Sequence, residues 1–173
     1  MSSRSLAGSP RYCQNTSFLS SVIRGASIGA WFRTSVVGSG QYQRVVIWEN
    51  STGVNCLGSL LLNYPNAGDL ANQNYGVGNW LPSVSGVSAN TWHYGLVTAG
   101  NGRTDVYLDG RIGAGQANVN TGLSCPYLVI GREAGSNSQY FSGAVLEPTI
   151  WDDVLDLTDA RDLFSGIEPW KIR

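Results

Sequence analysis

Two tight-turn signals constrain the fold of this chain more than any other feature of its sequence. The stretch TWHYGLVTAGNGRTDVYLDGRI, residues 91–112, contains Asn101-Gly102 and then Asp109-Gly110. Both pairs favour two-residue hairpin turns, because Asn, Asp and Gly tolerate positive φ. The residues before and between the turns are β-branched or aromatic at alternate positions. The stretch therefore predicts three antiparallel strands joined in a meander.

The first of these strands contains the chain's only histidine, His93. Alternation along a strand places Trp92 and Tyr94 on one face and His93 on the other. We expect Trp92 to pack into the core and the imidazole to lie on the opposite face, hydrogen-bonded or solvated. The position of Asp109 is explained by its turn. We therefore predict an architectural role for His93 rather than a catalytic or metal-binding one.

The rest of the chain also reads as short strands between turns. Only 13% of the residues are charged, which leaves little material for long amphipathic helices. One short helix is predicted near the C-terminus over DARDLF, capped by Thr158 and ended by Gly166 and Pro169. The 173 residues suit one all-β domain, a sandwich or barrel. The β-favouring runs are ASIGAWFRT, RVVIWEN, CLGSLLLNY, TWHYGLVT, TDVYLD, YLVIG and AVLEPTIW.

Charge, hydropathy and cysteine spacing exclude several classes of protein. The net charge is −1 and Lys171 is the only lysine, which argues against nucleic-acid binding. Neither the apolar core of a signal peptide nor a run of about 18 apolar residues is present, so we expect no membrane span and folding in a cytosol. Cys13, Cys56 and Cys125 show no C-x-x-C spacing, so we expect buried free thiols.

Several motifs occur in the order that is typical of a known family. SIGAWFRT, TWHYGLVTAGNGRTDVYLDGR, LVIGRE and YFSGAVLEPTIWDDVLDLTDARDLFSG lie between residues 26 and 165. Together they resemble the laminin-G-like, concanavalin A-type domains, which implies an antiparallel jelly-roll β-sandwich. Glu147-Pro148 departs from the family's usual D-E-V, and Pro148 predicts an edge or a bulge. The residues expected to be architectural are Trp31, Trp92, His93, Asn101, Gly102, Asp109, Gly110, Gly143 and Trp151.

The ending LFSGIEPWKIR resembles the tails of single-domain, virion-associated phage proteins. Residues 1–24 are Ser-rich and poor in long apolar runs, so we expect an N-terminal arm with an edge strand near RYCQNTSFL, a jelly-roll domain at 25–165 and a tail at 166–173. The phage resemblance implies a non-enzymatic structural protein of the virion, assembled in the host cytoplasm, that decorates or cements the capsid or belongs to the tail. The expected partners are the major capsid protein or tail proteins, with self-association into a homo-oligomer such as a trimer.

The alternative function is a lectin-like module that binds carbohydrate. Exposed aromatic rings stack on sugars or dock on proteins, and Tyr64, Tyr75 and Trp80 in the long middle segment are the candidates. Calcium assistance would use the loop NAGDLANQN through Asp69, Asn72 and Asn74. One carboxylate and two carboxamides form a sparse set for a cation that prefers several charged oxygens. We therefore predict no resident cofactor and keep calcium as an alternative.

Catalytic motifs are present only in fragments. GASIG matches the nucleophile elbow G-x-S-x-G, and Ser27, Asp69 and His93 follow the chain order of an α/β-hydrolase triad. That elbow needs a helix after the serine, whereas IGAWFRT is β-favouring. The E-x-D-x-x-E strand that jelly-roll glucanases carry does not occur in this sequence. We expect no catalytic residue, and a glycan hydrolase with an unrecognised site is the third alternative.

Overall fold

The computed structural model shows two antiparallel β-sheets packed face to face, with one short helix on the outside. This architecture confirms the predicted jelly-roll sandwich. The structure describes residues 4–5, 13–15, 25–38, 40, 42–49, 55–73, 82–100, 102–117, 127–133 and 139–172.

All seven predicted strand runs form strands. In chain order the strands are β1 (Arg4–Ser5), β2 (Cys13–Asn15), β3 (Gly25–Thr34), β4 (Gln43–Glu49), β5 (Asn55–Leu62), β6 (Asp69–Ala71), β7 (Ser83–Ser85), β8 (His93–Gly100), β9 (Arg103–Leu108), β10 (Arg111–Ile112), β11 (Gln116–Ala117), β12 (Tyr127–Ile130) and β13 (Gly143–Trp151). Helix α1 (Leu157–Phe164) and a 3-10 helix (Pro169–Lys171) follow.

The strands form two sheets, counted over the described residues. The seven-stranded sheet has the order β1-β13-β3-β8-β9-β10, with β11 also paired to β9. The six-stranded sheet has the order β2-β12-β4-β5-β6-β7. Strands β1 and β2, both from the predicted arm, therefore lie at the edges of opposite sheets.

The meander predicted from the two turn signals is present in the seven-stranded sheet. Gly100 pairs with Arg103, and Gly102 between them has a φ of 74°. Asp109 and Gly110 have φ angles of 52° and 70°, as a two-residue turn with both central residues in the left-handed region requires. Asn101 lies outside the described residues. The order β8-β9-β10 confirms the prediction.

The main core lies between the two sheets. Its largest side chains are fully buried: Ile28, Phe32, Leu60, Leu62 and Trp48 are at most 1% exposed. Small residues such as Ala26 and Ala30 alternate with them on β3. This apolar layer holds the sheets together through burial of its side chains.

A second apolar cluster covers the outer face of the seven-stranded sheet. Tyr94, Leu96 and Tyr107 project from the sheet and pack against Leu155 and the helix residues Ala160 and Leu163. Because α1 buries this face as well, all eight residues of β8 are buried. The sheet is thus packed on both faces.

The expected orientation of Trp92 and His93 is wrong. His93 points to the inner face, where its ring lies 5.9 Å from the Phe32 ring. Trp92 is half-buried, with the Arg33 guanidinium 5.4 Å from its ring centroid. Alternation alone could not tell the two faces apart, because the outer face, which α1 covers, also carries buried apolar side chains.

The predicted helix is present, but its N-cap is Asp156 and not Thr158. The Asp156 carboxylate accepts hydrogen bonds from the backbone N–H groups of Thr158 and Asp159, at 2.6 and 3.1 Å. The Asp159 carboxylate accepts one from the Asp156 N–H in return, at 2.8 Å. This reciprocal pair is a capping box, and it starts the helix before Thr158. Gly166, at φ 95°, follows the helix end as predicted.

Candidate functional site

His93 links a loop to a turn. Its Nδ1 lies 2.7 Å from Oδ2 of Asp109, and its Nε2 accepts a hydrogen bond from the backbone N–H of Ser88 at 3.0 Å. Since Nε2 accepts, the ring proton is on Nδ1 and is donated to Asp109. The other Asp109 oxygen accepts the Tyr94 N–H at 2.8 Å. Asp109 thus does more than shape its turn.

The same contacts place a serine, a histidine and an aspartate in the order of a hydrolytic triad. The hydroxyl oxygen of Ser88 lies 3.1 Å from Nε2 of His93. A general base needs its lone pair free for the hydroxyl proton. The single lone pair of this nitrogen already accepts the Ser88 backbone N–H. The geometry therefore holds the loop at Ser88 and supplies no free base.

Ser27, the serine of the elbow-like motif, is also structural. It lies within β3, is fully buried, and donates from Oγ to the carbonyl of Asp153 at 2.7 Å. Its Oγ accepts the Leu155 N–H at 2.9 Å. These two bonds attach the segment before α1 to the sheet. Asp69 and His93, which follow Ser27 in the chain order of a triad, make other contacts, as the absence of a hydrolase pattern led us to expect.

The described part of the predicted calcium loop is hydrogen-bonded within the fold. The Asp69 carboxylate accepts the Ser85 hydroxyl at 2.6 Å and the Asn66 side-chain amide at 2.9 Å. Asn72 accepts the Ser59 N–H at 2.8 Å, and Asn74 lies outside the described residues. Among the described residues, no group of three or more His, Cys, Asp or Glu side chains is arranged to hold a metal ion.

Only one of the predicted contact aromatics is described. Tyr64 is half-buried and meets Tyr42 edge to face, with ring centroids 5.2 Å apart. Tyr42 is 40% exposed, so the pair presents an aromatic edge to solvent. Tyr75 and Trp80 lie outside the described residues.

A groove between β13 and the C-terminal segment is the candidate binding site that the described residues form. It has a volume of about 360 Å³. Trp170 at its rim is 66% exposed, the highest exposure among the large apolar side chains of the described residues. The groove is lined by Glu147, Thr149, Ile150, Trp151, Pro169, Trp170 and Ile172. Sequence reasoning did not select Glu147 or Trp170 as contacts, although the Pro-Trp pair in IEPWKIR was a signal.

A β-bulge forms one wall of the groove. The pairing of β13 with β3 shifts register between Leu146 and Thr149, which confirms a bulge at Pro148. Glu147 has a φ of 51°, a left-handed conformation that is strained for a residue with a side chain. The Thr149 hydroxyl donates to the Glu147 carbonyl at 3.1 Å and supports this conformation. Bulges redirect side chains, and this one places Glu147 in the groove lining.

The opposite wall is the tail, which is fixed to the sheet. The Trp151 indole N–H donates to the carbonyl of Pro169 at 3.1 Å, and Ile172 packs against the outer apolar cluster. The tail residues 169–172 therefore cover the chain's own sheet. Trp170 is left facing solvent between these two attachments.

Beneath the groove, aromatic rings lie close together where glycine leaves room. Gly29 pairs with Thr149, and a β-carbon at Gly29 would collide with the Tyr94 hydroxyl and lie 3.2 Å from the Trp151 ring. That hydroxyl is buried without a hydrogen-bond partner. Burial, and secondarily the Glu147 carboxylate, raise the pKa of Tyr94 well above its usual value.

Two further architectural residues have a steric reason for their identity. Trp31 meets Tyr94 edge to face at 5.3 Å and lies 5.8 Å from Phe164, so it connects the sheet to α1. Gly143 opens β13 opposite Thr34, where a β-carbon would collide with the Arg33 carbonyl.

Within the described part of the chain, the groove lining contains a negative charge and no positive one. Glu147 is the only charged lining residue. Lys171 lies next to the groove, but its ammonium is 2.6 Å from the Glu168 carboxylate. Asp152 and Asp153 are exposed directly after Trp151. The local field therefore favours neutral or positively charged ligands.

Two packed antiparallel sheets define the chain as a β-sandwich. A laminin G-type family model, described as the concanavalin A-like lectin/glucanases superfamily, matches residues 11–160. The chain belongs to this family. No curated protein sequence matches the chain. No helix in the described residues is long and apolar enough to cross a membrane.

Solved structures of this fold superpose on most of the chain. A heptameric SAP-like pentraxin from Limulus polyphemus is 17% identical, with a TM-score of 0.71 over 88% of this chain and 75% of its own. The CBM40 of a Ruminococcus gnavus IT-sialidase, bound to α2,3-sialyllactose, is 14% identical, with a TM-score of 0.65 over 83% of both chains. A Trypanosoma rangeli sialidase bound to sialic acid is 15% identical, with a TM-score of 0.64 over 84% of this chain but only 24% of its own. At these identities the likeness establishes the fold.

Proposed function

We propose that this protein is a non-catalytic glycan-binding module and that the sugar lies in the groove between β13 and the C-terminal segment. The observation that carries the proposal is the exposed Trp170 ring, which shares the groove with Glu147 and Thr149. A flat aromatic face packs against the apolar face of a sugar ring. Carboxylate and hydroxyl oxygens accept or exchange hydrogen bonds with the sugar hydroxyls.

The size and rigidity of the site fit this use. A volume of about 360 Å³ lies at the lower end of ordinary small-ligand sites, which suits one or two sugar units. The Trp151–Pro169 hydrogen bond fixes the tail before a ligand arrives, so little chain entropy is lost on binding. The family membership and the sialyllactose-bound CBM40 neighbour support a carbohydrate ligand.

The lining residues do not provide the groups for glycoside hydrolysis. Glycosidases of the usual kind use two carboxylates, one on each side of the scissile bond. The groove lining contains a single carboxylate, from Glu147. Binding without cleavage is the function that this set of residues supports.

Removing the Trp170 ring tests the proposal. Trp170→Ala should weaken binding to a responsive oligosaccharide by at least about tenfold, the loss of roughly one stacking contact. Isothermal titration calorimetry against hits from a glycan array gives the affinity, and circular dichroism verifies the fold. Tyr42→Ala is the matched control, since Tyr42 is also exposed but pairs with Tyr64 away from the groove lining.

The outcomes separate the candidate sites. If Tyr42→Ala weakened binding by about tenfold and Trp170→Ala had no effect, the sugar site would lie at the Tyr42–Tyr64 pair instead. Binding abolished by a chelator would instead support the calcium alternative. A complete glycan array without a hit would overturn the function.

The virion structural role is the second proposal, and the apolar surface of the C-terminal region favours it. Phe164 and Ile167 are 41% and 39% exposed and lie close in sequence to Trp170. Exposed apolar residues grouped in this way are typical of protein contacts. In this role the protein would bind a capsid or tail protein, self-associate, for example as a trimer, and reside in the virion. Co-sedimentation with phage particles, lost in Phe164→Ser with Ile167→Ser, is its test.

A further inference from the structure

We propose that Glu147 makes the groove selective for glycans without acidic groups, so that neutral and amino sugars bind and sialylated or uronic sugars are rejected. This inference rests on the proposed glycan-binding function. It names the ligand class and the residue that determines specificity. The argument depends on where the bulge places Glu147 and on which charges surround it.

The backbone holds Glu147 in the groove at an energetic cost. At a φ of 51°, in the left-handed region, a residue with a side chain is strained. The register shift at Pro148 and the Thr149–Glu147 hydrogen bond maintain this conformation in the middle of a long strand. A carboxylate held there is in place before the ligand binds, which is what selectivity by charge requires.

Among the described residues that line the groove, none carries a positive charge that would attract an anion. Sites for acidic sugars use Arg or Lys, because a guanidinium or ammonium forms charge-assisted bonds with the ligand carboxylate. No Arg or Lys lines this groove. The neighbouring Lys171 is paired with Glu168.

The ligand of the CBM40 neighbour provides the contrast. That module binds a sialylated trisaccharide, whose sialic acid carries a carboxylate. A second carboxylate in the groove of this protein would face Glu147 at short range. Two like charges a few ångströms apart repel each other, and more strongly at a half-buried site than in bulk water. Although the two proteins share a fold, we therefore expect this protein not to share the CBM40's preference for a sialylated ligand.

Matched pairs of oligosaccharides test the inference. Lactose and α2,3-sialyllactose differ by one sialic acid. Chitotetraose, its fully deacetylated form and tetragalacturonate give a neutral, a cationic and an anionic tetramer. Each is titrated into the wild-type protein, Glu147→Gln and the control Asp152→Asn, at low and at high salt. Asp152 is exposed near the groove but does not line it.

The wild type should bind the better neutral or cationic member of each series at least about tenfold more tightly than its anionic counterpart. Glu147→Gln should reduce that ratio to within about threefold, mainly by gaining affinity for the anion, and Asp152→Asn should leave it almost unchanged. Equal binding of neutral and anionic members by the wild type would overturn the inference and leave the glycan-binding function intact. Absence of binding to any sugar would overturn both. A ratio unchanged in Glu147→Gln would show that Glu147 does not determine selectivity.

Discussion

The two faces of the seven-stranded sheet are both buried, but they are built differently. The inner face meets the other sheet through aliphatic residues such as Ile28 and Val97, together with Phe32. The outer face is aromatic, with Trp31, Tyr94, Tyr107 and Trp151, and it is covered by α1 and the tail. The sheet-on-sheet layer determines the fold, while the outer layer keeps polar groups and an open groove. Mutations on the two faces should therefore have different effects.

The largest effect is expected on the inner face. Phe32→Ala removes a fully buried ring and should lower the free energy of unfolding by about 3–5 kcal/mol. Leu163→Ala, on the helix side of the outer cluster, should lower it by about 2–3 kcal/mol, because a surface helix can settle into the space. Urea denaturation measures both. Equal losses would show that the outer layer is as tightly packed as the inner one.

Asp109 connects the two faces, since it bonds the inward side chain of His93 and the backbone N–H of Tyr94. Asp109→Ala should lower the free energy of unfolding by about 2–3 kcal/mol, because a charged acceptor of two partly buried bonds is lost. Binding in the groove should persist. Asp105→Ala, which breaks only the ion pair to exposed Arg103, should leave the urea midpoint almost unchanged. A large effect of Asp105→Ala would contradict this assignment.

The capping box at the start of α1 stabilises only the layer that covers the outer face of the sheet. Asp156→Ala leaves the first N–H groups of α1 without their acceptor and should destabilise the protein by about 1 kcal/mol. Asp152→Ala removes an equally exposed charge that caps nothing, so its thermal midpoint should stay near that of the wild type. If the thermal midpoint of Asp156→Ala equalled that of the wild type, Thr158 and not Asp156 would be the N-cap.

The smallest effect is expected at Tyr94 and has the opposite sign. Its hydroxyl is buried without a partner, so Tyr94→Phe should stabilise the protein by up to about 1 kcal/mol at neutral pH. Tyr107 lies on the same face, and the Thr98 hydroxyl partly opposes the rise that burial gives to the pKa of Tyr107. Tyr107→Phe removes that polar contact and should therefore not stabilise the protein. Chemical denaturation of the pair gives the comparison, and stabilisation by both variants would contradict it.

The same tyrosine predicts a dependence on alkaline pH. Burial raises the pKa of Tyr94, so the unfolded chain loses this proton first, near pH 10. The unfolded state then binds fewer protons than the folded state, and stability falls as the pH rises above about 10. Tyr94→Phe should flatten this fall. Denaturation series between neutral and alkaline pH measure this dependence. If the unfolding free energy of Tyr94→Phe fell with pH as steeply as that of the wild type, other groups would cause the fall.

The strands were predictable because their signals are local. Alternation, turn dipeptides and the family's motif order all lie within short windows, and the meander at residues 91–112 follows from them. The orientation of Trp92 and His93 was not predictable, because it depends on which surface α1 covers. The observed N-cap is Asp156 and not the predicted Thr158, because Asp156 and Asp159 accept hydrogen bonds from backbone N–H groups in a reciprocal capping box. A single hydroxyl at Thr158 would satisfy fewer N–H groups.

The candidate site was less predictable than the fold. Expectations centred on the middle loop, where Asp69 turned out to be hydrogen-bonded to Ser85 and Asn66. The groove forms because a bulge in β13 and a tail some twenty residues later meet across an indole–carbonyl bond. No local sequence pattern predicts that these two segments come together. Only Pro148, which predicted the bulge, and the Pro-Trp pair of the tail pointed to the two walls of the groove.

The pairing of Lys171 with Glu168 beside the groove has a practical consequence for anyone who measures this protein. Lys171 is the only lysine side chain in the sequence, and it is 64% exposed. Amine-reactive dyes and amine-coupled sensor surfaces that react with a side chain would therefore attach next to Trp170, and the α-amine of the chain is their other target. Protein immobilised through Lys171 would have its groove turned towards the support, so assays should tether the sugar instead. A fluorophore on Lys171 would report when the groove is occupied.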